Sequence, residues 1–324
     1  MHEKDLTKKA IRTARRKKGK DLLAVLFFLL LLPYTCSVLT GIRQEEAVET
    51  LAGAGSGNLI FWEKENGLWK LSEEEFLVGA LAASVPAEYR TETLKAQAVI
   101  LRSILYAKKD DAGRLSKEES GLECLDEQGR QTLWGEDFAE NEVRYQKAVT
   151  DTQGQVLTYD GAVISPPFFR LSAGKTRSGA EIFGQGRIVW CHSTECSGDE
   201  NAALFLQEKK VTRENFTKAL ASEGMVLPKE SAKLVLVRDS AGYVVSVQCG
   251  EDFLEGERFR QLFDLPSSCF YLKEEKGKIV LQTKGVGHGL GFDQYNADLL
   301  AAEGKNYEEL LKHFFVGVSL EKKE

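Results

Sequence analysis

The sequence predicts an α+β fold, a mixed extracytoplasmic domain preceded by one N-terminal transmembrane helix. Three observations carry this expectation. Helical and strand-like stretches mix over residues 59–324 without regular βαβ alternation. No internal repeat divides the chain. One uncharged run, "LLAVLFFLLLLPYTCSVLTG" from Leu22 to Gly41, matches the length of about 20 apolar residues that spans a bilayer.

The N-terminal segments are read from that run. Residues 1–20 hold nine Lys/Arg against two acids, which keeps the N-terminus cytoplasmic and places the C-terminal body outside. A cleaved signal peptide has a similar layout. The length of the run and the lack of an A-x-A site favour a membrane anchor over residues 21–41. Residues 42–58, "IRQEEAVETLAGAGSGN", read as a linker. Beyond the first twenty residues the chain carries 34 basic and 47 acidic residues, and such an acidic body argues against a nucleic-acid partner.

Within 59–324, "LIFWEKENGLWKL" alternates around an Asn-Gly turn, as a hairpin does. "LSEEEFLVGALAAS" opens with Ser72 and three glutamates before an apolar run, which predicts a helix ended by Pro86. "TETLKAQAVILRSILYAKK" has an apolar stripe at Leu94, Ala98, Leu101 and Leu105 and predicts a second helix. Residues 109–141 read as a polar, irregular surface excursion, and "NEVRYQKAVTDTQG" as a helix stopping at Gly154. "QVLTYDGAVISPPFFRLSAG" predicts two strands about a turn, residues 202–222 a helix, and "LVLVRDSAGYVVSVQCG" a hairpin. A strand then runs into "GVGHGLGFDQY", followed by two short helices in "YNADLLAAEGKNYEELLKHFF" and a closing strand in "VGVSL".

Three segments hold candidate chemistry. In residues 285–295, Gly285-Val286-Gly287-His288-Gly289 gives half of a dinucleotide fingerprint with the later glycines misplaced, and no Walker lysine is present. The loop remains a tight turn or a place where backbone approaches a ligand beside His288. On the second helix, Glu92, Lys95, Val99 and Arg102 share a face. The helix N-terminus and Lys95 both favour a charged Glu92, whereas a general acid must hold a proton. In "FFRLSAGKTRSGAEIFG", Ser172 to Thr176 are small or hydroxylic and suit hydrogen bonds to a polyhydroxy ligand, and no G-x-S-x-G elbow supports a serine hydrolase. Of the six cysteines, Cys191-His192-x3-Cys196 could begin a zinc site but shows no fourth ligand. Structural cysteines or one local disulfide fit better.

The stretches "VPAEYRTETLKAQAVILRS", "FFRLSAGKTRSGAEIFG" and "GVGHGLGFDQYNADLLAAEGKNYEELLKHFFVGVSL", in this order over roughly residues 70–320, resemble the stage II sporulation protein D family. The resemblance implies a membrane-anchored lytic transglycosylase that cleaves peptidoglycan glycan strands stripped of stem peptides during engulfment in sporulation. It implies a cell-wall amidase and a membrane scaffold protein as partners, and a mother-cell membrane location facing the engulfment space. The family also includes an amidase enhancer, so a non-catalytic glycan-binding role stands beside the enzymatic one. Carried over, the catalytic acid falls on Glu92, and substrate contacts fall on Lys95, Gln97, Arg102, Ser172, Gly174, His288, Gly289, Gln294 and Tyr295. Glu92 would protonate the glycosidic oxygen and then take the proton of O6, leaving a 1,6-anhydro-muramic end. His288 would face it across the groove. Many relatives read Glu-Met-Pro where this chain has Ser84-Val85-Pro86. Some hold zinc through Cys and His after the first helix, where this chain offers Cys124 with Gly129 and Arg130. No cofactor is required by the chemistry, and zinc is a possible one.

Overall fold

In the computed structural model, residues 59–64, 67–110, 114–184, 186–227 and 234–323 are described. The expected cytoplasmic segment, membrane helix and linker lie outside them. Among the described residues no helix is long and apolar enough to cross a membrane.

The Asn-Gly signal gives the antiparallel pair β1 (Leu59–Lys64) and β2 (Gly67–Ser72). The Ser72 hydroxyl then caps α1 (Glu73–Ser84) by accepting the Glu75 N–H at 3.1 Å. Phe76 to Ala82 are all buried, so α1 runs through the core rather than along it. The longest helix, α2 (Thr91–Lys108), buries Leu94, Ala98, Leu101 and Leu105 as its stripe predicts. Short β3 (Arg114–Ser116) joins β1 in parallel and leads into the one-turn α3 (Lys117–Ser120).

The expected irregular excursion is instead largely helical. Asp126 caps α4 (Glu127–Trp134) by accepting from Gly129 N at 2.8 Å, and α5 (Phe138–Asp151) begins before the predicted start. In α4 only Arg130 and Trp134 are buried, and so few core-facing residues leave a weak helical period in the sequence. Helix α5 packs on α1 and α2 through Tyr145, Ala148 and Val149.

Strands β4 (Gln155–Tyr159) and β5 (Ala162–Val163) flank the expected turn, and β14 (Ser319–Lys322) closes that sheet against β4. Next, β6 (Phe168–Phe169) pairs in parallel with β13 (Phe292–Asp293), tying two distant motifs together, and α6 (Gly179–Phe183) comes after β6. Helices α9 (Gln294–Ala302) and α10 (Tyr307–Phe314) are the two predicted at the end, the second opened by an Asn306–Glu309 capping box.

Between these motifs the chain builds a lobe with its own core of Phe216, Leu220, Val247, Phe259, Phe263 and Phe270. It holds β7 (Leu206–Thr212), α7 (Arg213–Ser222), β8 (Val235–Arg238), β9 (Val244–Cys249), β10 (Asp252–Glu255), α8 (Gly256–Leu262), β11 (Phe270–Glu275) and β12 (Lys278–Lys284). The hairpin predicted from "LVLVRDSAGYVVSVQCG" is β8–β9. The predicted helix over 202–222 is corrected to strand then helix. Strand β7 is an edge of the sheet β11–β12–β7, and its Glu208, Lys209 and Lys210 are exposed, so no strand-like alternation marks it.

Candidate functional site

The parallel β6–β13 pair sets Phe168 beside Phe292 and Phe169 beside Asp293. Two motif segments are thereby brought together, and their chains continue in step. Tyr295 N–H donates to the Arg170 carbonyl at 3.1 Å. The third segment arrives through Gln294, whose Nε2 donates to the Ser84 carbonyl at 3.1 Å and to Gln97 Oε1 at 3.2 Å. Gln97 is fully buried, and its Nε2 has no hydrogen-bond partner. The end of α1, the start of α2 and the start of α9 thus meet at one junction. The Ser84 hydroxyl does not face it: it donates back to the Ala80 carbonyl at 2.8 Å.

Behind this junction lies a buried acid pair. Asp293 caps α9, with Oδ1 accepting from Tyr295 N and Asn296 N, while Oδ2 accepts the Ser172 N–H at 2.9 Å. Asp199 Oδ2 accepts the Ser172 hydroxyl at 2.5 Å, and Oδ1 accepts from Asn296 Nδ2 at 3.0 Å. Both acids are wholly buried. Loss of water, then the neighbouring Asp199 charge, push the Asp293 carboxyl well above the usual carboxylate range. The pair therefore needs a shared proton or a cation.

Cys196 stands beside them, and the donor atoms of Cys196, Asp199 and Asp293 lie within 4.8 Å of one another. This is a candidate metal centre. One thiol and two carboxylates suit zinc by donor type, with a fourth ligand still to be supplied. The set corrects the sequence reading. Cys196 stays, but Cys191 sits in the apolar core and His192 is exposed, and neither belongs to the group. The five described cysteines are all free, so no local disulfide joins them, and burial pushes the Cys191 and Cys196 thiols up.

Ser172 is completely buried, so its hydroxyl braces the acid pair rather than meeting a ligand. Gly174 differs: it is part-exposed at φ +102°, with open space where a side chain would be. Its N–H donates to Ser172 Oγ at 3.0 Å. Gly289 is packed shut, because a Cβ there would lie 2.3 Å from the Tyr243 ring. The glycine loop thus lets backbone pass the inserted lobe, where Gly287 N–H donates to the Pro266 carbonyl at 2.8 Å.

His288 lies on this seam. Its Nδ1 accepts the Leu290 N–H at 3.1 Å, and its ring centroid is 5.7 Å from that of Phe169. Desolvation lowers its pKa, opposed by the Glu257 carboxylate and reinforced by Arg177 and Arg260. Glu92 keeps other company. Its Oε1 accepts from Lys95 Nζ at 3.0 Å and its Oε2 from Tyr307 N at 2.8 Å, at the head of α10. Lys95 also reaches Asp151 at 3.3 Å. No neighbour is common to His288 and Glu92 in these contacts, so the expected confrontation across a groove has no contact behind it.

Arg102 is 1% exposed and bound to Glu73, the Thr152 carbonyl and the Val149 carbonyl, which leaves it no surface for a ligand. The junction does expose residues that sequence reasoning passed over, Arg170 and Glu88. A cation after a short strand and an acid in a turn carry no periodic signal. Asp199 and Asp293 were equally hidden, since they stand more than ninety residues apart and only the fold pairs them.

These features define a domain of mixed helices and sheets in which three distant segments converge on one polar junction. The family model described as stage II sporulation protein matches residues 64–159. Stage II sporulation protein D of Bacillus amyloliquefaciens is 28% identical over 289 residues, covering 86% of this chain and 83% of that protein. Its namesake from Bacillus subtilis (strain 168) is 26% identical over 284 residues, covering 85% and 82%. The chain is thus similar to stage II sporulation protein D over most of its length. An amidase enhancer of Bacillus subtilis is 22% identical over 295 residues, covering 75% of this chain and 40% of that protein.

Proposed function

We propose that this protein binds peptidoglycan glycan strands at the junction of α1, α2 and α9 and assists a cell-wall amidase during engulfment. Residues 21–41 anchor it in the mother-cell membrane, residues 59–324 face the engulfment space, and a membrane scaffold protein completes the assembly. The observation that carries a binding role is the state of Glu92. Both of its oxygens already accept hydrogen bonds, from Lys95 and from the α10 backbone. A general acid needs an oxygen free to present a proton to the glycosidic bond. The similarity to an amidase enhancer and the inward-turned Ser84 hydroxyl support the same reading.

A second reading, the lytic transglycosylase, is favoured by one feature. The Glu92 side chain is 31% exposed, so a sugar can reach it. One carboxyl group would then serve as acid and base while the muramic O6 attacks, in place of the two carboxylates of hydrolytic glycosidases. Mass spectrometry of peptide-stripped strands incubated with the full chain separates the two. Retention of uncut strands supports binding. Anhydro-muramic ends that vanish in Glu92→Ala would establish cleavage, and neither binding nor cutting would end both readings.

A further inference from the structure

The inserted lobe carries a sheet face that its own core does not use. In the sheet β11–β12–β7, side chains alternate between two sides. One side turns Phe270, Leu272 and Leu281 into the lobe core. The other carries Lys210, Lys273, Lys278 and Lys284, with Glu208 and Glu275 as its acids. A basic excess is thus gathered on one face of a body that is acidic overall.

The lysines are built into this face. Lys273 and Lys210 stand opposite Val280 on either side, and Val280 is buried between them. Lysine stems cover an aliphatic residue in this way while their ammonium groups stay in water. Lys273 is paired with Glu275 at 2.5 Å, whereas no ion pair among the described residues holds Lys210, Lys278 or Lys284. Apolar groups lie at one end of the face. Leu206 stands opposite Lys284, and Leu204 and Leu206 are 46% and 52% exposed. Tyr271 is exposed there too, its ring 5.6 Å from Lys284 Nζ and 4.3 Å from the Arg238 guanidinium.

Two partners would satisfy the lysines, a soluble anionic polymer or the surface of an anionic bilayer. The apolar end decides between them. A chain of phosphate groups offers nothing to Leu204 and Leu206, whereas the boundary of headgroups and acyl chains takes Leu and Tyr beside Lys. The tether agrees with this. Residues 42–58 separate the anchor of the reading above from β1, and even fully extended they span only about 60 Å. We propose that this basic face seats the lobe on the anionic phospholipid surface of the membrane that anchors the chain. Lys284 runs directly into Gly285, whose N–H donates to the Phe205 carbonyl at 2.8 Å. Seating the face therefore holds the glycine loop, and the junction with it, at a fixed height above the bilayer. The proposal rests on the anchor in the reading above and not on what the junction binds.

The test is lysine labelling by reductive methylation, read by mass spectrometry, on the full chain in vesicles of phosphatidylcholine alone or mixed with phosphatidylglycerol. Labelling of Lys210, Lys278 and Lys284 is expected to fall about fivefold in the anionic vesicles, as one lysine–headgroup contact each predicts. It should recover in about 1 M salt, where charges are screened within ~3 Å. Lys147 and Lys312, exposed on α5 and α10, should label alike in both. The double variant Leu206→Ser/Lys278→Gln, changed only at exposed positions, should keep its melting temperature and lose the protection of Lys210. Equal labelling of a chain that floats with both kinds of vesicle overturns the proposal while the anchor stands. Equal protection of Lys147 and Lys312 overturns it as a general charge effect. Stronger protection by soluble polyphosphate in detergent than by anionic vesicles assigns the face to a polymer and overturns it as well. Flotation with anionic vesicles alone, with the three lysines protected, upholds the face and ends the anchor. A chain that floats with neither ends both.

Discussion

Helix α2 makes two carboxylate pairings on one face, Lys95 with Glu92 near its start and Arg102 with Glu73 further along. Exposure separates them. The Lys95 and Glu92 side chains are 18% and 31% exposed, those of Arg102 and Glu73 only 1% and 7%. In water the first pair gains about 0–1 kcal/mol and can be rearranged at little cost. The second has lost its hydration and survives because Arg102 is also bonded to Thr152 and Val149 carbonyls. The same residue types at helical spacing therefore make a surface contact at one point and an internal brace at another. A shared helix face does not imply a shared role.

The sharpest way to break the comparison is Arg102→Ala. Removing one partner of a buried pair takes a cationic donor from Glu73 and from the Val149, Thr152 and Gln155 carbonyls, and a loss of about 3–5 kcal/mol is expected. Chemical denaturation of the full chain reads it directly. A loss below about 1 kcal/mol would show that Arg102 is as weakly coupled as Lys95.

The acid pair behind the junction extends the buried side of the comparison. Asp293→Ala removes the α9 cap and the acceptor for Ser172, and a loss of about 2–3 kcal/mol is expected. Asp293→Asn imitates the protonated acid and should lose about 1 kcal/mol or less if the pair shares a proton. Zinc content measured alongside distinguishes the cases. A metal present in wild type and missing from Asp293→Asn would mean that a cation, not a proton, balances Asp199.

His288 sets a pH limit of intermediate size. Burial lowers its folded-state pKa below the unfolded value of about 6.5. Above that pH both states are neutral and its contribution to stability is complete. As pH falls from there toward the folded-state value, the unfolded chain binds the extra proton and stability drops by up to about 1.4 kcal/mol per unit. His288→Gln is expected to flatten this part of the melting-temperature profile below about pH 6.5. An unchanged acid slope would assign it to other groups.

Much of the helical framework could be read in advance because its causes are local. Ser72 before three glutamates and the stripe of α2 each act within a turn or two. The strand β7 and helix α4 escaped because their faces are polar and few of their residues meet a core. At the site, the convergence of the three segments is legible as motifs but not as contacts. Glu92 looks like a free acid until Tyr307, 215 residues away, is seen to donate to it. Ser172 looks like a ligand contact until Asp199 and Asp293 close over it. Long-range pairings of this kind leave no periodic trace, so sequence spacing could nominate these residues but not assign their work.

The smallest expected effect tests the exposed pair. Glu92→Gln keeps an acceptor for the Tyr307 N–H and leaves Lys95 its contact with Asp151. The change in stability should stay within about 1 kcal/mol, since only a solvent-screened ion pair is lost. If Glu92 is a cap that fixes α10 against α2, binding of stripped strands should be unchanged within about twofold. Two measurements on one preparation decide it, a denaturation curve and a strand-binding isotherm. A fall in strand binding without a fall in stability would bring Glu92 into the ligand site despite its two hydrogen bonds. The exposed pair would then do more than the buried one, because only a group that can give up its partner to water can give it up to a sugar.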